Sequence, residues 1–113
     1  MEFVAEDTAD LTIVTVTGRL DSQAAAQFSG RLAELRQGGG AQLLIELSHL
    51  TYISSAGCRV LFLAARQTAE RGKRLALCGM TGAVKQVVEL AGLDGQVGIF
   101  ASREEALMQL SAA

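Results

Sequence analysis

The chain has 113 residues, a formal net charge of −2 at pH 7 and a hydrophobic fraction of 50%, which predicts one domain over residues 1–113 with a real though small core. No apolar run reaches the ~20 residues of a membrane span and no secretion signal is recognisable, so we expect a cytoplasmic protein that does not contact a membrane. The basic residues are scattered and tryptophan is absent, which argues against a nucleic-acid partner.

The first part of the chain predicts a β-hairpin followed by a helix. Residues 3–7 and 11–17 have the composition of two strands, of which the second is rich in β-branched residues. Gly18 is expected to end the second strand. Asp21 or Ser22 is expected to cap the first helix, because short polar side chains are favoured at that position.

A glycine run and an apolar strand connect the first helix to the most regular helix of the sequence. The glycines at 38–40 predict a helix stop and a turn, since a phosphate-binding loop would follow a strand and carry a Lys-Ser/Thr pair. Residues 42–47 are typical of a buried parallel strand. The second helix is predicted from Ser55 to about Arg71, where Gly72 stops it.

The remainder of the chain continues the alternation of strands and helices. The predicted elements are a strand at 73–78, a helix at 82–91, a short edge strand at 96–100 and a last helix capped by Ser102. A hairpin followed by alternating helices and strands predicts an α/β fold. We expect one mixed sheet of four or five strands, with about four helices packed mainly on one side.

The second helix places a serine at its exposed start. The face expected to pack on the sheet carries Gly57, Val60, Leu61, Ala64, Ala65 and Thr68. Ser55 lies on the opposite face, one turn before Arg59. Backbone amides and the helix dipole favour an anion there, and a phosphate on Ser55 would add a charge of about −1.5 to −2. The alternative, that Ser54 and Ser55 are only helix caps, stays open.

Catalytic and metal-binding arrangements are weakly supported. An Asp21–His49–Ser55 triad can be written down, but the Gly-x-Ser-x-Gly nucleophile elbow is absent. One histidine and two separated cysteines, Cys58 and Cys78, do not form a metal-ligand set or a disulfide framework. We therefore expect no catalytic residue, no metal and no cofactor, and two reduced thiols.

Three stretches of the sequence resemble a STAS domain of the anti-sigma factor antagonist type. Residues 15–22 resemble its strand with a glycine and a Leu-Asp pair, 47–61 its phosphoacceptor loop, and 88–107 its closing segment. The resemblance implies that Ser55, two residues before the loop glycine, is phosphorylated by an anti-sigma kinase. Ser54 stands where many members carry aspartate and is the less favoured acceptor.

The resemblance also implies a partner-switching function. The unphosphorylated protein is expected to bind an anti-sigma factor serine kinase and release a sigma factor or another target, and a phosphoserine phosphatase resets the switch. The expected contact surface consists of Asp21, Ser22, Ser54, Ser55, Ala56, Gly57, Arg59, Phe62, Met80 and Thr81. A monomer or weak dimer is expected. The alternatives are a STAS scaffold or transport-accessory protein and, from another class, a small serine hydrolase.

Overall fold

The computed structural model describes residues 1–8, 11–37 and 42–111, so the predicted glycine turn at 38–40 lies outside the described residues. The elements in order are β1 Glu2–Asp7, β2 Leu11–Leu20, α1 Ser22–Gln37, β3 Gln42–Glu46, β4 Leu50–Ile53, α2 Ser55–Glu70, β5 Leu75–Cys78, α3 Gly82–Leu90, a 3₁₀ turn Leu93–Gly95, β6 Gly98–Phe100 and α4 Arg103–Ser111.

The strands form one mixed sheet. β1 and β2 make the predicted antiparallel hairpin, and β2, β3, β5 and β6 follow in parallel, in the order β1-β2-β3-β5-β6. The described residues contain six strands, because β4 pairs with β2 outside this path. The predicted α/β class and mixed sheet are confirmed, with one strand more than the four or five expected.

β2 is longer than predicted, and it pairs with two strands in tandem. Its first half pairs with β3 and its second half with β4, whose residues were expected to be loop. The prediction that Gly18 ends β2 is wrong: Gly18 has a φ of 99° and lies where the register between β2 and β4 shifts. A glycine in a strand interior often marks such a bulge. The Thr51 hydroxyl donates to the Gly18 carbonyl at 3.0 Å.

The helices divide unequally between the two faces of the sheet. α1, α2 and α3 cover one face around a core that includes Phe28, Leu32, Leu61 and Val84. On the other face the buried residues are Ile13, Leu44, Ala76, Cys78, Ala106 and Leu110, the last two from α4. The prediction that helices pack mainly on one side is confirmed. In the described part of the chain, no helix is long and apolar enough to cross a membrane.

Two predicted strands begin later than expected because helix or turn termini hold their first residues. The amide of Lys73 donates to the Thr68 carbonyl at 3.0 Å, so this residue is held in the turn that follows α2, and β5 begins at Leu75. The amide of Val97 donates to the Leu93 carbonyl at 3.0 Å, so β6 is limited to Gly98–Phe100. The hydrophobic periodicity of the sequence carries no information about these local backbone hydrogen bonds.

The buried face of α2 largely follows the predicted stripe. On α2, Cys58 is buried although it was not assigned to the inner face, and Val60 is half-buried. At the end of α3, Ala91, the last residue of the predicted helix at 82–91, is exposed. It follows the last helical residue and lines an open groove.

A charged cluster fastens α4 to the sheet. The Nε of Arg103 lies 2.5 Å from Oε1 of Glu46, and a guanidinium N–H donates to the Thr15 hydroxyl at 3.4 Å. Burial raises the pKa of Glu46, but hydrogen bonds from Arg103 and Ser48 outweigh that effect and lower this pKa below its ordinary value of 4.5. The ion pair therefore stabilises the folded state only while Glu46 is ionised.

Arg103→Met is expected to reduce the free energy of unfolding at about pH 7 by about 1–2 kcal/mol, allowing for the partial exposure of the pair. Because the pKa of Glu46 is depressed on folding, its contribution is complete above pH 4.5 and is lost as the pH falls through the folded pKa. The difference between wild type and variant should therefore shrink below pH 4.5. Urea unfolding at pH values above and below the ordinary pKa of Glu46, with Lys85→Met as the control, measures the difference in free energy of unfolding between wild type and variant. A difference that does not change with pH would contradict this account.

Candidate phosphorylation and partner-binding site

The pairing of β2 with β4 brings the starts of α1 and α2 together. Leu20 at the end of β2 is in register with Ile53 at the end of β4. The Leu20 carbonyl then accepts two hydrogen bonds from Ser54, one from its amide at 2.9 Å and one from its hydroxyl at 3.0 Å. The residue that follows each strand directly precedes the first residue of a helix, so Asp21 and Ser54 are neighbouring N-caps.

Asp21 caps α1, as one of its two predicted roles required. Its Oδ1 accepts a hydrogen bond from the Ala24 amide at 2.9 Å, and the residue is half-buried. Ser22, the first residue of α1, is exposed. Asp21 and Ser22, two residues of the expected contact surface for the kinase, thus lie beside the start of α2.

The two adjacent serines differ in what their hydroxyl groups do. The Ser54 hydroxyl donates to the Leu20 carbonyl, and its oxygen accepts from the Gly57 amide at 3.1 Å, so Ser54 is the N-cap of α2; the residue is half-buried. Ser55 is exposed, and no hydrogen bond of its hydroxyl is found among the described residues. The capping alternative therefore applies to Ser54, while Ser55 presents a free hydroxyl at the first position of the helix.

Ser54→Ala is expected to lower the free energy of unfolding by about 1 kcal/mol, the usual cost of removing an N-cap. The variant loses the bonds to Leu20 and to the Gly57 amide. Ser55→Ala, which removes no bond, is the matched control and should leave the free energy nearly unchanged. Chemical denaturation of both variants measures the difference, and equal stability would exclude the capping role of Ser54.

An open groove of about 760 Å³ begins at Ser55 and runs between α2, α3 and the 3₁₀ turn. Its principal lining residues are Ser55, Arg59, Phe62, Val87, Leu90 and Leu93. The predicted contact residue Ala56 also lines it. Phe62 is half-buried, packs against the core and carries the Arg66 guanidinium 5.9 Å from its ring centroid. Phe62 thus both packs against the core and lines the groove.

Gly57, Met80 and Thr81 lie outside this groove. Gly57 is buried against β2 and β4, as its place on the inner face of α2 predicted. Met80 is half-buried against the core, and the Thr81 hydroxyl caps α3 by accepting from the Val84 amide at 3.5 Å. Of the predicted contact residues, Ser55, Ala56, Arg59 and Phe62 line the groove, whereas Met80 and Thr81 lie apart from it at the start of α3.

Sequence reasoning missed the α3 side of the groove. Val87 and Leu90 were not candidates for the site, and Leu90 is 87% exposed. The signal available in the sequence was a leucine placed outside the apolar stripe of a short helix. The sequence alone could not place this leucine near Ser55, because that proximity depends on the packing of α3 beside α2.

The Asp21–His49–Ser55 triad, which the sequence supports only weakly, is not assembled. His49 precedes β4 and its carbonyl accepts from the Gly18 amide at 3.0 Å, whereas Ser55 follows the same strand. The four residues of β4 between them span about 13 Å. Proton transfer requires contact at hydrogen-bond distance, so His49 cannot serve Ser55 as a base in this arrangement.

The two thiols, Cys58 and Cys78, are buried and are not joined in a disulfide. Burial raises the pKa of Cys58, and burial with the nearby Glu46 raises the pKa of Cys78 to about 11. Neither is an activated nucleophile, because the thiolate is the reactive form. Within residues that the structure describes, no three His, Cys, Asp or Glu side chains are grouped as metal ligands.

Residues 4–102 match the model of a protein family described as Mlab, STAS domain. A protein of Bordetella bronchiseptica, named as the anti-sigma factor antagonist BtrV, is 31% identical over 106 residues, which cover 94% of this chain and 91% of that protein. The fold and the family model together define a STAS domain. The chain belongs to the anti-sigma factor antagonist family of STAS domain proteins, which confirms the resemblance seen in the sequence.

Solved structures agree with the fold. A protein of Thermotoga maritima described as an anti-sigma factor antagonist aligns with a TM-score of 0.88 and 22% identity over 96% of this chain and 94% of its own. The anti-sigma factor antagonist SpoIIAA in its unphosphorylated form aligns with a TM-score of 0.85 and 20% identity over 99% and 98%. Bacillus SpoIIAA in its phosphorylated form aligns with a TM-score of 0.74 and 21% identity over 96% and 98%.

Proposed function

We infer that the protein is the phosphorylatable component of a partner switch, with Ser55 as the acceptor. The unphosphorylated form binds an anti-sigma factor that is also a serine kinase, and this binding releases a sigma factor or another target. The kinase transfers the γ-phosphoryl group of ATP to the Ser55 oxygen, which loses its proton, and ADP leaves. A phosphoserine phosphatase hydrolyses the ester and resets the switch.

The observation that carries this proposal is the difference in hydrogen bonding and exposure between the hydroxyl groups of the two serines. Ser54 uses its hydroxyl to cap α2, so a phosphate on it would break bonds to Leu20 and Gly57. Ser55 is exposed, and its oxygen is available to a kinase without any rearrangement of α2. SpoIIAA, whose fold this chain shares, has been solved in an unphosphorylated and a phosphorylated form, which supports a phosphorylation switch on this fold.

The charge of one phosphate is sufficient for switching. Phosphorylation adds about −1.5 to −2 charges to a surface where an interface must be desolvated. Weakening a complex 100-fold requires about 2.8 kcal/mol, which one badly placed dianion can supply without a change of fold. The protein then acts as a substrate and a switch rather than as an enzyme.

Phosphosite mapping tests the proposal. The protein is incubated with ATP and a serine kinase of the anti-sigma type encoded in the same genome, and its intact mass and peptides are measured. We expect one added phosphate, located on Ser55. A phosphate found on Ser54 alone would show that Ser54 is the acceptor and that the assignment to Ser55 is wrong. No phosphate together with no binding would exclude the proposed switch and favour a scaffold or transport-accessory role for this STAS domain.

A further inference from the structure

We propose that the groove between α2, α3 and the 3₁₀ turn receives an apolar segment of the anti-sigma kinase that carries a carboxylate opposite Arg59. This inference rests on the proposed function and adds the location and the chemistry of the contact. It assigns binding roles to Leu90 and Val87, which lie on a different helix from Ser55.

The walls of the groove are apolar and unevenly covered. Phe62 of α2 and Val87 of α3 are half-buried and pack against the core, so they form a fixed floor. Leu90 stands on the rim and is 87% exposed, the largest exposure found among the large hydrophobic residues of the described chain. A leucine left in water beside an apolar groove is a feature of partner-binding surfaces. A partner that covers the groove removes it from water.

The groove carries a single type of charge. Among the described residues that line it, Arg59 is the only charged one. Within the part of the chain whose side chains are described, Arg59 forms no salt bridge. A guanidinium beside apolar surface pairs well with a carboxylate, because two parallel N–H groups can bond both oxygens. The complementary segment is therefore apolar with an acidic residue, rather than apolar throughout.

The groove is also connected to the proposed switch. Ser55 lines it, and Arg59 follows Ser55 by one helical turn. A phosphate on Ser55 would compete with the partner's carboxylate for Arg59 and would repel that carboxylate. Phosphorylation then opposes binding at the place where the acidic group of the partner must lie.

Leu90→Asp tests the apolar contact, with Leu63→Asp as the matched control. Leu63 is also an exposed leucine, at 43%, but it does not line the groove. Leu90→Asp is expected to weaken kinase binding by about 10–100-fold, equal to about 1.4–2.8 kcal/mol, and Leu63→Asp by less than about twofold. Calorimetric titration of the unphosphorylated protein with the kinase measures both, and thermal unfolding verifies that both variants fold.

Arg59→Glu tests the charge independently, with Lys85→Glu as the control for net charge. Lys85 is exposed on α3 and does not line the groove. We expect Arg59→Glu to weaken binding at least about tenfold, or about 1.4 kcal/mol, and Lys85→Glu to have little effect. Raising the salt concentration should reduce the difference between Arg59→Glu and wild type.

The outcomes separate this inference from the proposed function. If wild type binds the kinase and is phosphorylated on Ser55 while Leu90→Asp and Arg59→Glu behave like their controls, the groove inference is overturned and the proposed function stands. If wild type neither binds nor accepts phosphate, both are overturned. If Leu90→Asp changes the sedimentation of the free protein but not kinase binding, the groove holds a second copy of this chain instead.

Discussion

A Ser55→Ala variant is expected to accept no phosphate from the anti-sigma kinase while binding it as tightly as the unphosphorylated wild type. The substitution removes an exposed oxygen that makes no hydrogen bond within the described residues, so the starts of α1 and α2 should be unchanged. Transfer of radiolabelled phosphate from ATP gives the first quantity and calorimetric titration gives the second. Because phosphorylation can no longer weaken the complex, such a variant should keep the affinity of the unphosphorylated form when ATP is present.

Ser55→Asp provides the opposite test of the same site. A carboxylate at this position should weaken kinase binding at least about 10-fold, or about 1.4 kcal/mol, although it carries less charge than a phosphate. Ser29→Asp is the matched control, since Ser29 is an exposed serine on α1. If Ser54→Ala abolishes phosphorylation and Ser55→Ala does not, the acceptor is Ser54 and the assignment of the site shifts by one residue.

Gly57→Val is expected to lower the free energy of unfolding by about 3 kcal/mol or more, a large part of the roughly 5–15 kcal/mol of a natural domain. A Cβ at this position would lie 2.9 Å from Cγ1 of Ile53 and 3.0 Å from Cγ of Leu20. Both side chains are buried and neither contact is with a flexible chain end. The start of α2 would have to move away from the sheet, taking Ser55 with it.

Gly30→Val is the matched control, because Gly30 also lies within a helix but a Cβ there meets no atom within 4 Å. We expect its effect to be within about 0.5 kcal/mol, since valine is not a poorer helix former than glycine. Urea unfolding of both variants gives the comparison. Equal stability of the two would mean that the contact at Gly57 is relieved by a small movement and that α2 is less constrained than the distances indicate.

Much of the fold was predictable because long periodic segments determine it. The spacing of Leu61, Ala64, Ala65 and Thr68 defined the inner face of α2, and all four are buried. The β-branched run before Gly18 and the apolar run after Gln42 likewise predicted β2 and β3. These signals depend on residues close in sequence. Each of them predicts one helix or strand but not the elements against which it packs.

The prediction failed where a contact between distant residues determines the structure. β4 has four residues, too few for a periodic signal, and it forms because the end of β2 offers free hydrogen-bonding groups. Ser54 and Ser55 are equivalent as helix caps in the sequence. The structure distinguishes them by the carbonyl of Leu20, 34 positions before Ser54, and by the amide of Gly57, both of which bond the Ser54 hydroxyl. The groove depends in the same way on where α3 packs relative to α2.

The tandem pairing of β3 and β4 with β2 determines where the chain can change in length. Ser48 and His49 are exposed and lie between the two paired segments. Extra residues there would lengthen a surface turn at small entropic cost and leave both registers intact. One extra residue inside β4 would turn its buried side chains outward and separate Ser54 from the Leu20 carbonyl. Insertions among homologous chains should therefore fall before β4 and avoid the segment that leads to Ser55.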